Sequence, residues 1–156
     1  MWAAVTKRAL NYGLGVVVVL LCLAPRFANA DESETLAAKI AKATGLKADK
    51  RTAADFISFD AEDNRDVAHL NCAGTDPISL RFLSPPDPNG DWYQFVGLAS
   101  SILTNVSVSA IRQGARSCVV SSEDSGQHFA KLQLPGARLE CHTASLSRMV
   151  DLTVAK

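Results

Sequence analysis

Cys141 and His142 stand side by side in LECHTAS (Leu139 to Ser145), a soft nucleophile next to a base. The pair could act as nucleophile and general base or as two metal ligands, or the cysteine could be half of a disulfide. The first use requires both side chains to converge on one reacting atom. The segment alternates apolar and polar residues as a strand does, and strand neighbours point to opposite faces. Leu139, Cys141 and Thr143 are therefore expected to face a core, and His142 to face away from it. A disulfide is the leading reading of Cys141, a buried thiol the second and a catalytic cysteine the third.

Three cysteines, Cys72, Cys118 and Cys141, lie beyond residue 30. Cys118 falls on the apolar face of a predicted helix and closes the shortest loop with Cys141, so Cys118–Cys141 is the preferred pairing. Cys72–Cys141 is the alternative, tying the first hairpin to the last strands. Loop closure alone separates these choices by only about 1 kcal/mol.

Metal chemistry finds little support. His69, His128 and His142 are scattered among the cysteines without the paired spacing that brings two ligands to one ion. DAEDNRD (Asp60 to Asp66) places Asp60, Glu62 and Asn64 at alternate positions, as a calcium loop does. Its sixth position is Arg65 instead of the required glycine, and its twelfth is Asn71 instead of a bidentate glutamate. It reads as a solvated acidic turn, and neither a metal nor a cofactor is expected. There is no G-x-S-x-G elbow, S-x-x-K, H-E-x-x-H or phosphate-cradling glycine loop. A pair of acids far apart in sequence could still serve a glycosidase.

The N-terminus carries Lys7 and Arg8, then the uncharged run Gly13–Ala24, Pro25 and the small-residue site Ala28-Asn29-Ala30. That order predicts a secretory signal peptide over residues 1–30, cleaved between Ala30 and Asp31. The apolar run of about 12 residues is too short for a spanning helix, which needs roughly 20. The predicted address is periplasmic or secreted, with no transmembrane segment left after cleavage. The signal contains Lys7, Arg8 and Arg26 and no acid. The balance of 16 basic and 16 acidic residues therefore becomes a net charge of −3 for residues 31–156. A mildly acidic chain argues against nucleic acid as a partner, because phosphate binding needs a positive surface.

The remaining residues suggest how the chemistry is positioned. Ser33–Thr44 predicts a helix capped by Ser33, with Leu36, Ala37, Ile40 and Ala41 on one face. FISF (Phe56 to Phe59), VAHLNCA (Val67 to Ala73) and ISLRFL (Ile78 to Leu83) read as strands, the last two as a hairpin. SPPDPNG (Ser84 to Gly90) stops regular structure. Asp91 and Gln94 have capping-box spacing for a broad apolar helix through Phe95, Leu98, Ala99 and Ile102. Val106–Val120 predicts a further helix capped by Ser107. HFAKLQL, ARLECHTA and RMVDLTVA predict a three-stranded meander after the loop SSEDSG.

Together these elements predict one α+β domain over residues 31–156. It would have an antiparallel sheet of about five strands, about three helices on one face and a single disulfide staple. The expected function is a small non-catalytic binding or accessory module acting on an unidentified protein or envelope component. A small exported hydrolase or thiol-dependent enzyme with dispersed residues is the alternative. Two surface features suit an interaction: the stiff loop ending at Trp92, and the basic residues Lys39 and Lys42 of the first helix.

Overall fold

The computed structural model describes residues 28–51, 56–60, 66–72, 78–144 and 149–156. Predicted signal residues 1–27, the turn between the first hairpin strands and the centre of the acidic loop lie outside them. In chain order the elements are α1 (Ala28–Thr44), β1 (Lys47–Arg51), β2 (Phe56–Asp60), β3 (Asp66–Asn71) and β4 (Ser79–Leu83). They continue with α2 (Gly90–Thr104), α3 (Val108–Asp124), β5 (Phe129–Leu134), β6 (Ala137–Thr143) and β7 (Val150–Ala155).

The seven strands form one antiparallel sheet in the order β1-β2-β3-β4-β7-β6-β5. Two runs of sequential neighbours, β1 to β4 and β5 to β7, join where β4 pairs with β7. The expected α+β class stands, but the expectation of about five strands is corrected to seven. The strand not foreseen is β1, KADKR, which pairs antiparallel with β2 through Lys47↔Asp60 to Arg51↔Phe56. It lacks the apolar alternation by which strands are recognised, and pairing with β2 overrides its composition.

Cross-strand register carries one apolar layer across the sheet. Ile57, Leu70, Leu80, Val154, Leu139 and Leu132 are successive partners, as are Phe59, Ala68, Phe82, Leu152, Cys141 and Ala130. Phe59, Leu70, Leu80, Phe82, Leu139 and Leu152 are fully buried. Each contributes roughly 1.5–3 kcal/mol by leaving water. The helices meet this layer unequally, which corrects the simple picture of three helices laid on one face. α3 lies on β5 and β6, α2 lies between α3 and α1 and touches β4 and β7, and α1 packs chiefly on α2 and reaches the sheet at β1.

Local chemistry explains the helix boundaries. α1 begins at Ala28, so Ser33 is a buried residue inside the helix instead of its cap, and the predicted cleavage bond Ala30–Asp31 falls within it. Asn89 caps α2, its side chain accepting from the backbone N–H groups of Asp91 and Trp92 at 3.1 Å each. Asp91 thus belongs to the first turn, a correction to the expected capping box. An amide oxygen at that position satisfies two orphan donors at once. α2 ends at Asn105, held in the left-handed region at φ 63°, a conformation asparagine tolerates. Ser107 caps α3 as expected, accepting from Ala110 N–H at 3.3 Å, and the helix continues through Ser121–Asp124 where a loop was expected.

Two glycines are dictated by geometry. A Cβ on Gly97 would sit 2.9 Å from the Val108 carbonyl oxygen, so glycine permits the close approach of α2 and α3. Gly136 has φ 87° in the Pro135-Gly136 turn of the β5–β6 hairpin, where proline presets the preceding φ.

Candidate functional site

The Cys141–His142 question is answered by the pleat. Cys141 is fully buried on the helix side of β6 and is bonded to Cys118 of α3, with Cα atoms 6.0 Å apart. His142 points to the opposite face and stacks near Phe129, ring centroids 4.5 Å apart. The disulfide closes a sequence separation of 23. It fits a protein that resides outside the reducing cytoplasm. Cys72 is a half-buried free thiol packed against the core, its Sγ 3.8 Å from the Leu70 carbonyl oxygen.

The remaining histidines lie apart. His69 neighbours Phe56 on the sheet face opposite α2 and α3, and His128 sits exposed before β5. Among the described residues no group of three or more His, Cys, Asp or Glu is placed to hold a metal ion. No single described helix is long and apolar enough to cross a membrane.

The sheet face opposite α2 and α3 carries ion pairs across and along the strands. The Arg81 guanidinium grips the Asp151 carboxylate with two donors, Nε lying 2.9 and 3.0 Å from its oxygens. Hydrogen bonding to Asp151 raises the Arg81 pKa, with burial opposing the rise and the carboxylate charge assisting it. Glu140 meets Lys131 at 3.1 Å and Arg138 at 3.5 Å. From β4 across to β5 these charges are partly solvated and answer one another, whereas Ser58 of β2 on the same face is fully buried.

A concavity of the described residues lies elsewhere, at the end of the sheet where the proline-rich loop enters α2. Ser84 sets its base. The Ser84 N–H donates to the Val150 carbonyl at 2.9 Å, while Ser84 Oγ accepts from Val150 N–H at 2.7 Å and donates to the Pro85 carbonyl at 2.7 Å. These bonds tie the end of β4 to the start of β7. Three prolines then remove backbone donors, so the loop can stand at the surface with fewer groups to satisfy. The Trp92 indole N–H reaches the Leu83 carbonyl at 3.4 Å, fastening the first turn of α2 beside β4.

The result is a groove of about 660 Å³. Thr44 at the end of α1 and Leu46 just beyond it line the groove together with Pro85, Pro86, Trp92 and Phe95, with Val67 and Leu83 of the strands, and with Met149 just before β7. Its lining is mainly apolar, with Asp91 the one charged residue among the described residues that line it. Phe95 is held edge-on against Phe82, ring centroids 5.4 Å apart, so this wall is continuous with the core. Trp92 is 7% exposed and serves as wall, not as a projecting anchor; Met149 is 39% exposed at the rim. A second cleft of about 460 Å³ lies between Leu36 and Lys39 of α1 and Ile102 and Leu103 of α2, with Lys156 also lining it. Lys39 and Lys42 are both exposed, Lys39 beside this cleft and Lys42 in the last turn of α1.

The proline loop leading to Trp92 was legible in the sequence as a stiff loop with an aromatic end. Leu46, Phe95 and Met149 were not, because no local pattern marks residues that meet only through the fold. No family model matches the chain, and no curated protein and no solved structure matches it either.

Proposed function

We propose that the protein is an exported, non-catalytic binding module that receives an apolar side chain of a partner protein in the groove beside Trp92. The apolar lining carries this reading. A groove of about 660 Å³ is within the range of binding pockets, and an apolar pocket with few polar groups binds by desolvation. The Ser84 hydroxyl already donates to Pro85 and accepts from Val150, so it is committed to the loop and not to a reaction. The proline wall is stiff before any partner arrives, which lowers the entropy lost on binding. The disulfide suits export.

Residues 31–156 contain one tryptophan, Trp92, so intrinsic fluorescence reports on the groove directly. The processed protein is titrated with short blocked peptides bearing Leu, Ile or Phe between Ser-Gly flanks. The expected result is a saturable change in Trp92 emission that Met149→Glu weakens about ten-fold, as expected for an unpaired polar group against an apolar one. Met149 is at the rim, so the variant keeps its thermal midpoint. No saturable response to any of these peptides, or an equal response in Met149→Glu, contradicts the reading.

A further inference from the structure

The groove wall contains an oxidisable atom in an accessible place. Met149 lies immediately before β7, its carbonyl accepting from Ala144 N–H at 3.0 Å, and its side chain is 39% exposed. It lines the same groove as Trp92, Phe95 and Leu83. It is also the only methionine in residues 31–156. A thioether is apolar and polarisable, whereas its sulfoxide is polar and a strong hydrogen-bond acceptor. Placed in this wall, the new oxygen would face an apolar partner with nothing to donate to it.

We propose that Met149 is a modification site, and that its oxidation to the sulfoxide by a hydroperoxide closes the groove to its apolar partner. The inference rests on the binding reading above and adds its regulation. In the step, a sulfur lone pair attacks the terminal oxygen of the hydroperoxide, the S–O bond forms and the O–O bond breaks. Sulfur is oxidised by two electrons, and the peroxide leaves as water or an alcohol after proton transfer. A sulfoxide reductase reverses the change, which makes the site a switch. Trp92 is buried and Cys118 and Cys141 are already bonded, so Cys72 is the competing soft group, and it is half-buried against the core.

The experiment treats the processed protein with hydrogen peroxide, locates the added oxygen by peptide mass mapping, and repeats the Trp92 titration with the Leu, Ile and Phe peptides. The proposal expects Met149 to gain one oxygen before Cys72 does. Peptide affinity is expected to fall about ten-fold, the order for an unpaired polar group in an apolar contact, and to return after treatment with methionine sulfoxide reductase. Cys72→Ala, outside the groove, is expected to bind the peptides as the parent protein does and to lose affinity on peroxide treatment in the same way. Whatever affinity Met149→Leu has is expected not to change with peroxide. If the oxidised protein binds as tightly as the untreated one, or Cys72 reacts while Met149 does not, the switch is overturned and the groove reading stands. If untreated protein binds none of the peptides, the groove reading falls and the switch with it.

Discussion

Removing the disulfide by the double substitution Cys118→Ala/Cys141→Ala tests how α3 is held to the sheet. Both residues are buried, at 1% and 0% exposure, so alanine is the suitable replacement; serine would bury two hydroxyls. The bond spans a sequence separation of 23. The chain-entropy relation gives about 3 kcal/mol for a loop of this length. With a urea slope of about 1.5 kcal/mol per molar, the unfolding midpoint moves down by roughly 2 M. Equilibrium unfolding is measured for the oxidised protein, the reduced protein and the double variant. The latter two should both be weakened by about 3 kcal/mol, the variant slightly more because two core sulfurs are gone. Cys72→Ala, outside the bond, should leave the difference between oxidised and reduced protein intact. A loss below about 1 kcal/mol, or a mass map pairing Cys72 with Cys141, refutes the reasoning.

Two further predictions test the helix layer. Gly97→Ala drives a methyl group against the Val108 carbonyl, which is backbone, whereas Gly114→Ala meets the movable end of Leu134 at 2.9 Å. Thermal unfolding should show Gly97→Ala costing about 1–3 kcal/mol and Gly114→Ala distinctly less. Burial, then the nearby Glu123 carboxylate, raises the Tyr93 phenol above its ordinary 10.0, with Arg116 opposing them. The folded state therefore holds this proton more tightly. The associated stability is present below pH 10.0 and is lost as pH rises through the folded pKa. Tyr93 is the only tyrosine in residues 31–156, so phenolate absorbance follows it alone. A midpoint above 10.0 and a flatter alkaline stability limb in Tyr93→Phe are expected.

The parts of the fold that could be read in advance are those whose residues carry a period. The alternation in VAHLNCA, ISLRFL and ARLECHTA marked the buried face of β3, β4 and β6, and placed Cys141 inward and His142 outward. The apolar side of α3 put Cys118 where it could meet Cys141. β1 was hidden because KADKR holds a single apolar residue, Ala48, and so has no apolar alternation to mark it. Its lysines suit an edge strand, where charge discourages pairing with another chain. The join of β4 to β7 was hidden for another reason, since pairing across two intervening helices leaves no local mark.

The groove was half legible. SPPDPNGDW announced a stiff loop leading to an aromatic residue, and that loop does line it. The other lining residues come from after α1, from the strand ends and from the start of β7, so only the closed sheet brings Leu46, Leu83, Trp92 and Met149 to one place. The basic residues of α1 illustrate the reverse limit. Lys39 and Lys42 share a helix and are both exposed, but only Lys39 borders the second cleft.

The most direct test of the groove as a contact surface is site-specific photocrosslinking in the cell that makes the protein. A photoreactive side chain is placed at Pro86 on the groove rim and, separately, at Lys131 on the exposed far edge strand. The account predicts one discrete protein adduct at position 86, suppressed when Met149→Glu is added, and no matching adduct at position 131. Equal adducts at both positions, or an adduct at 86 that persists in the Met149→Glu background, would contradict it.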